Sequence, residues 1–167
     1  EYNSNLINEK TLGAWGEDYR KDWEEIVRSL KPKKRLYLAY GSNMNKNQMN
    51  LRCPSVKRIG RTYLNDWELT IPFYANIVLR KGGKTPVLIW EISAEDEAKL
   101  DKYEGYPRLY NKKDLLVTID NTETTATTYI MTNEYTKQDK TPRSGYIEGI
   151  VEGYVEAGFN KSEFKPR

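Results

Sequence analysis

The 167-residue chain contains no histidine. That absence removes Ser-His-Asp and Cys-His nucleophile pairs, zinc sites built on imidazole, and any histidine general base. Proton transfer must then fall to a carboxylate, a tyrosine or a lysine. Cysteine is almost missing as well. Cys53 stands alone, so no internal disulfide can form, and without an imidazole to activate it the thiol reads as a small apolar filler before Pro54. No apolar run approaches the roughly 20 residues of a membrane span. Basic residues run together only at 31–35 and 80–84, in a chain of net charge +3, which is no nucleic-acid stripe. Neither a membrane nor a nucleic acid is expected as a partner, and the expected location is cytoplasmic. Internal repeats, low-complexity tracts and Gly-rich phosphate loops are missing too.

What remains is an ordinary globular composition, 38% apolar and 31% charged, sufficient for one compact core. Residues 1–34 form an expected extension. Trp15, Tyr19, Trp23, Ile26, Val27 and Leu30 fall at steps of four, four, three, one and three, one face of a helix that Pro32 stops. This stripe is expected to pack on the main domain or on a partner. From residue 35 onward, segments 36–40, 56–63, 67–74, 77–80, 87–92, 113–119 and 124–131 each read as a strand, about seven in all, with Gly82-Gly83 as a turn between two of them. Helices are placed by their punctuation. One covers 45–51. A second is opened by Ser93 with Asp96 three residues on and closed by Gly105 and Pro107, and a last begins at Thr141-Pro142. In that last helix Tyr146, Ile147, Ile150, Val151, Tyr154 and Val155 are expected to face inward. The expected fold is α+β: a small mixed β-barrel flanked by helices over residues 35–160, with a charged tail at 161–167.

Two local features carry chemistry. Tyr40-Gly41-Ser42-Asn43 follows the apolar run 36–39 directly and precedes a polar helical stretch, so a strand ends in a glycine-bent loop. Glycine lets backbone approach a small molecule closely, and unpaired N–H groups there can hold a carboxylate or a developing oxyanion. Glu104 sits at a helix C-terminus, beside Gly105 and bracketed by Tyr103 and Tyr106. A carboxyl partly removed from water there has its pKa raised toward neutrality by burial and by the helix dipole, the range useful for accepting and returning a proton. Asp101, one turn earlier, is read as a surface charge or a hydrogen-bonding support.

The segments Leu38-Ala39-Tyr40-Gly41-Ser42-Asn43, Leu51-Arg52-Cys53-Pro54-Ser55, Leu100-Asp101-Lys102-Tyr103-Glu104-Gly105 and Tyr129-Ile130-Met131-Thr132 resemble, in order and spacing, the γ-glutamylcyclotransferase and AIG2-like family over residues 35–159. The resemblance implies an enzyme with neither cofactor nor metal, acting on a small-molecule γ-glutamyl substrate. The substrate's α-amine attacks its own γ-carbonyl and releases 5-oxoproline and an amine or amino acid. Glu104 is then the general acid/base, and Tyr40, Gly41, Ser42 and Asn43 bind substrate. By resemblance alone Tyr110 and Tyr146 line the pocket. A non-catalytic metabolite-binding or interaction domain on the same fold is the alternative. Two departures stand out: the Trp15/Trp23 helix lies outside the pattern, and Thr85-Pro86-Val87-Leu88 replaces an expected glycine before the Trp90 strand, so that Val87 is expected to narrow the pocket.

Overall fold

A computed structural model describes residues 9–30 and 34–167, including the side chains of 19–27, 29, 30 and 34–167. The chain divides between Lys33 and Lys34 into two compact units. The described residues of the first form the helix α1 (Glu9–Leu30). Tyr19, Trp23, Ile26, Val27 and Leu30 are all exposed on it, and the side chain of Trp15 lies outside the described residues.

The second unit holds β1 (Arg35–Ala39), α2 (Lys46–Arg52), β2 (Lys57–Thr70), β3 (Asn76–Ile92), α3 (Ala94–Glu104), β4 (Tyr110–Ile119), β5 (Thr122–Met131), the one-turn α4 (Asn133–Thr136) and α5 (Tyr146–Ala157). The strands form one five-stranded sheet in the order β2-β3-β1-β5-β4. β1 pairs antiparallel with β3 and parallel with β5. Its residues Leu38 and Ala39 are buried, as expected of a strand covered on both faces, where apolar residues run on rather than alternate.

Five strands replace the expected seven because two pairs of segments are continuous. Segment 56–63 and the first half of 67–74 belong to β2, which ends at Thr70 and passes through a bulge where Asp66 takes φ 67. Segments 77–80 and 87–92 belong to β3, whose extra residues sit opposite that bulge: Asn65 faces Lys84, whereas Trp67 already faces Leu79. Gly82-Gly83 is therefore the bulge and not a turn. Gly82 (φ 79) donates its N–H to Asp66 Oδ1 at 3.0 Å. A Cβ on Gly83 would stand 2.8 Å from the Trp67 carbonyl, so backbone crowding selects glycine there. The true reversal is 71–75, ahead of Asn76. The barrel is not closed either. Thr62 Oγ1 on β2 donates to the Thr118 carbonyl on β4 at 2.7 Å, yet among the described residues no ladder joins these outer strands.

The helices repeat this mixture of agreement and correction. Ser93 and Asp96 form a reciprocal capping box on α3, and Gly105 (φ 65) ends it in the left-handed conformation, as their spacing predicts. Asn45 caps α2 by accepting from Gln48 N. The last helix, however, starts at Tyr146 behind Gly145 (φ 82), and not at Thr141-Pro142. Its inward face is Tyr146, Gly149, Ile150, Gly153, Tyr154 and Ala157; Val155 is exposed and Ile147 and Val151 are half-buried. The charged tail is anchored. Phe159 is buried, Phe164 stacks edge-on against Tyr154 at 5.5 Å, Asn160 and Glu163 form a second capping box, and Arg167 N–H reaches the Leu69 carbonyl.

Candidate active site

β1 delivers Tyr40 and then turns into a 3-10 turn, Ser42–Met44, that leads to α2. Close packing forces the glycine: a Cβ on Gly41 would lie 2.8 Å from Ala75 Cβ, nearer than real side chains approach. From behind, Asn45 Nδ2 donates to the Gly149 carbonyl of α5 at 3.0 Å, and Trp90 Nε1 donates to the Asn43 carbonyl at 3.0 Å. Met44 N–H closes onto the Gly41 carbonyl. Among the described residues the N–H groups of Gly41, Ser42 and Asn43 find no backbone acceptor.

Glu104, the last residue of α3, faces this loop across a small chamber of about 30 Å³. Ser42, Glu104, Tyr110 and Tyr146 are shared with a wider outer recess of about 270 Å³ rimmed by Tyr74, Tyr103 and Arg143. All seven residues picked from the sequence (Glu104, Tyr40, Gly41, Ser42, Asn43, Tyr110 and Tyr146) line the inner chamber. Val87 does not: it is fully buried in β3, away from both walls. Glu104 as a residue is half-buried, but its carboxyl is the enclosed part, and Oε1 accepts from Asn43 Nδ2 at 3.0 Å. Burial pushes its pKa up to about 7, against the opposing pull of the Arg52 charge and the Asn43 hydrogen bond. Neither Lys102 nor Arg108 pairs with it among the described ion pairs. Asp101 plays the supporting part instead, accepting from Tyr129 OH at 2.6 Å and from Lys112 Nζ at 2.8 Å.

Three contributors escaped the sequence reading. Tyr37 and Tyr129 line the chamber, packed edge to face at 5.8 Å. Arg52 reaches Asn43 Oδ1 and Tyr103 OH, each at 2.5 Å, and lies over the Tyr103 ring. The available signals were weak: Tyr37 leads into the loop, while Tyr129 and Arg52 sit within the recognised segments with nothing local to mark a role.

Burial raises the pKa of every chamber phenol above its ordinary value, so each keeps its proton. They differ in where that proton goes. Tyr40 OH donates to the Tyr129 carbonyl, Tyr110 OH to the Ala75 carbonyl at 2.6 Å, and Tyr129 OH to Asp101. Tyr37 and Tyr146 are instead acceptors, from Asn43 Nδ2 at 2.8 Å and from Ala75 N–H at 2.7 Å. Of the five phenols lining the chamber, these two alone hold an O–H with no acceptor among the described residues.

An enclosed carboxyl poised near neutrality, a loop of free amides and two phenolic donors define an acid/base type of pocket suited to a small polar molecule. Residues 37–148 match the family model described as gamma-glutamyl cyclotransferase, AIG2-like, and the chain belongs to that family. Among solved structures it is similar to a gamma-glutamyl cyclotransferase (22% identity, 81% of this chain and 90% of that one, TM-score 0.67). It is similar also to an uncharacterized protein from Homo sapiens (24%, 80% and 89%, 0.67) and to YkqA from Bacillus subtilis (20%, 81% and 53%, 0.61). At these identities the likeness establishes the fold. No curated protein matches the chain.

Proposed function

We propose that this protein is a γ-glutamyl cyclotransferase, releasing 5-oxoproline and an amine or amino acid from a small γ-glutamyl compound, with Glu104 as the general acid/base. The observation that carries this reading is the Glu104 carboxyl, enclosed and facing the Gly41–Asn43 backbone across the chamber with Asn43 as its hydrogen-bond partner.

The reaction needs little from the protein because the substrate brings its own nucleophile. Closing the lactam takes two protons from the α-ammonium, and the departing nitrogen gains two as it passes from amide to ammonium. One carboxyl cycling between its ionised and protonated forms carries them in turn, and such transfers contribute about 10² to 10⁴ in rate. Tyr40, Ser42 and the free amides of the loop orient the glutamyl carboxylate and polarise the γ-carbonyl, with the unspent protons of Tyr37 and Tyr146 as further donors to developing negative charge. The outer recess receives the leaving group.

Mass-spectrometric detection of 5-oxoproline across a panel of γ-glutamyl dipeptides and amines tests this. Wild type is expected to turn over at least one member and Glu104→Gln none. Retained turnover in that variant removes Glu104 from the mechanism, and saturable binding without lactam assigns the pocket to capture alone.

A further inference from the structure

We propose that Arg52 is a positioning residue for Glu104: its guanidinium fixes the Asn43 side-chain amide in the single orientation that turns the NH2 group toward the carboxyl, and sets a positive charge on the outer side of the site. This assignment rests on the reading of Glu104 as the acid/base.

A guanidinium has donors and no acceptor, so the Asn43 atom facing Arg52 Nη1 must be Oδ1. The NH2 group is thereby forced the other way, where its two hydrogens serve Tyr37 OH at 2.8 Å and Glu104 Oε1 at 3.0 Å. Without that restraint the amide could rotate and set a carbonyl oxygen against an ionised carboxylate, an unfavourable contact that would suppress the base form. Arg52 is itself held on several sides. Nη2 bonds Gln48 Oε1 at 3.0 Å and Tyr103 OH at 2.5 Å, Nη1 also reaches Ser42 Oγ at 3.3 Å, and the guanidinium carbon sits 3.8 Å from the Tyr103 ring centre. Tyr103 immediately precedes Glu104 on α3, so the same cation ties α2 to the end of the helix that carries the acid. A lysine offers a single point charge and cannot reproduce the fork.

The groups facing Glu104 leave this role to Arg52. From β1 comes Tyr37, from the residue just after that strand Tyr40, from β4 Tyr110, from β5 Tyr129, from α5 Tyr146, and from its own helix Tyr103 and, one turn back, Asp101. The five chamber phenols stay protonated, and Asp101 is paired with Lys112. Among the described residues that line the two recesses, the one cationic side chain is Arg143, on the rim of the outer one. Arg52 is the cation that acts on Glu104, and it opposes the effect of burial.

The experiment compares wild type, R52M and R52K by two readouts. One is the pH dependence of kcat/KM for 5-oxoproline release. The other is the carbon-13 NMR titration of the Glu104 carboxyl in substrate-free protein, assigned by its loss in E104Q. In R52M both titrations are expected to move upward by about one pH unit, the lower end of what an opposite charge at close range does, with about a tenfold loss of kcat/KM at pH 6 and a much smaller loss at pH 9. R52K keeps the charge and is expected to bring the titration back near wild type while kcat stays depressed through the loosened Asn43. A carboxyl titration unmoved in R52M, or displaced equally in R52K, overturns the proposal. If wild type makes no 5-oxoproline from any γ-glutamyl compound, the proposed activity falls, and the substrate-free titration still decides Arg52. Should R52M fail to fold, R52Q takes its place in both measurements.

Discussion

Among the chamber phenols, the disposition of a single proton separates residues that composition makes look alike. Tyr110 spends its O–H on the Ala75 carbonyl, whereas Tyr37 accepts from Asn43 and retains its own. Removing the Tyr110 hydroxyl strands a buried carbonyl, so Tyr110→Phe is expected to cost about 1–3 kcal/mol of stability, read as a lowered urea midpoint, with kcat changed only a few-fold. Tyr37→Phe is expected to lower kcat about 10- to 100-fold, the modest end of what one donor to developing charge supplies, with a smaller change in midpoint. Equal kcat losses in the two variants would refute the distinction. Glu104 was legible in the sequence because its signals are local: a helix end, a following glycine and flanking aromatics. The choice between spent and unspent phenols was not, since it depends on carbonyls of Ala75 and Tyr129 that only the folded chain brings within reach.

Helix α5 braces the binding loop through its glycines. A Cβ at Gly153 would meet Asn45 N and Met44 C, each at 2.8 Å, which are backbone atoms with no freedom to yield. At Gly149 the nearest obstacle is the far end of the Gln48 side chain, at 2.6 Å, and that end can swing away. Helix propensity favours Ala over Gly by about 1 kcal/mol in either place, while overpacking a tight contact costs roughly 1–3 kcal/mol. Gly153→Ala is therefore expected to destabilise the domain and to reduce turnover by displacing the loop, and Gly149→Ala to be close to neutral in stability. Chemical denaturation of both variants checks the sign. The same elements mark where periodicity stops being informative. Ser93, Asp96 and Gly105 announce α3 through contacts within a few residues of one another. The bulge at Asp66 and Gly82-Gly83 looks locally like two breaks, because what keeps β2 and β3 continuous is the pairing of distant residues. The apolar residues oriented α5 only in part: Tyr146, Ile150 and Tyr154 face inward as expected, Ile147 and Val151 are half-buried and Val155 is exposed, since its closest contact is made by residues that have no side chain.

For the molecule as a whole, the site sets a pH-dependent cost. Glu104 titrates near 7 in the folded protein, against an ordinary value of 4.5, so between those values the folded state binds more protons than the unfolded one. Stability must then fall as pH rises through this window. The effect is absent below about pH 4.5 and complete above about pH 7. Partial exposure reduces it to about 2 kcal/mol, below the full conversion of the shift. Glu104→Gln removes the charge, so it is expected to be more stable than wild type at pH 8 and equal to it at pH 4, as read by urea unfolding. A variant no more stable at pH 8 would show that the carboxyl is not enclosed in solution. The α+β class and the family were legible from the sequence, as were seven of the ten residues around the chamber, Tyr37, Ala75 and Tyr129 being the exceptions. The open sheet was not, because closure turns on whether the two outer strands meet in register.

The place of β1 has one more consequence. It lies third of five, between β3 and β5, and the loop that faces Glu104 is its direct continuation. Outer strands can fray at their margins without disturbing it, whereas β1 is released only when the whole sheet opens. Its amides should be among the last in the domain to take up deuterium. The small molecule would then meet a receptor already assembled before it arrives, with the dynamic parts of the fold kept at the periphery.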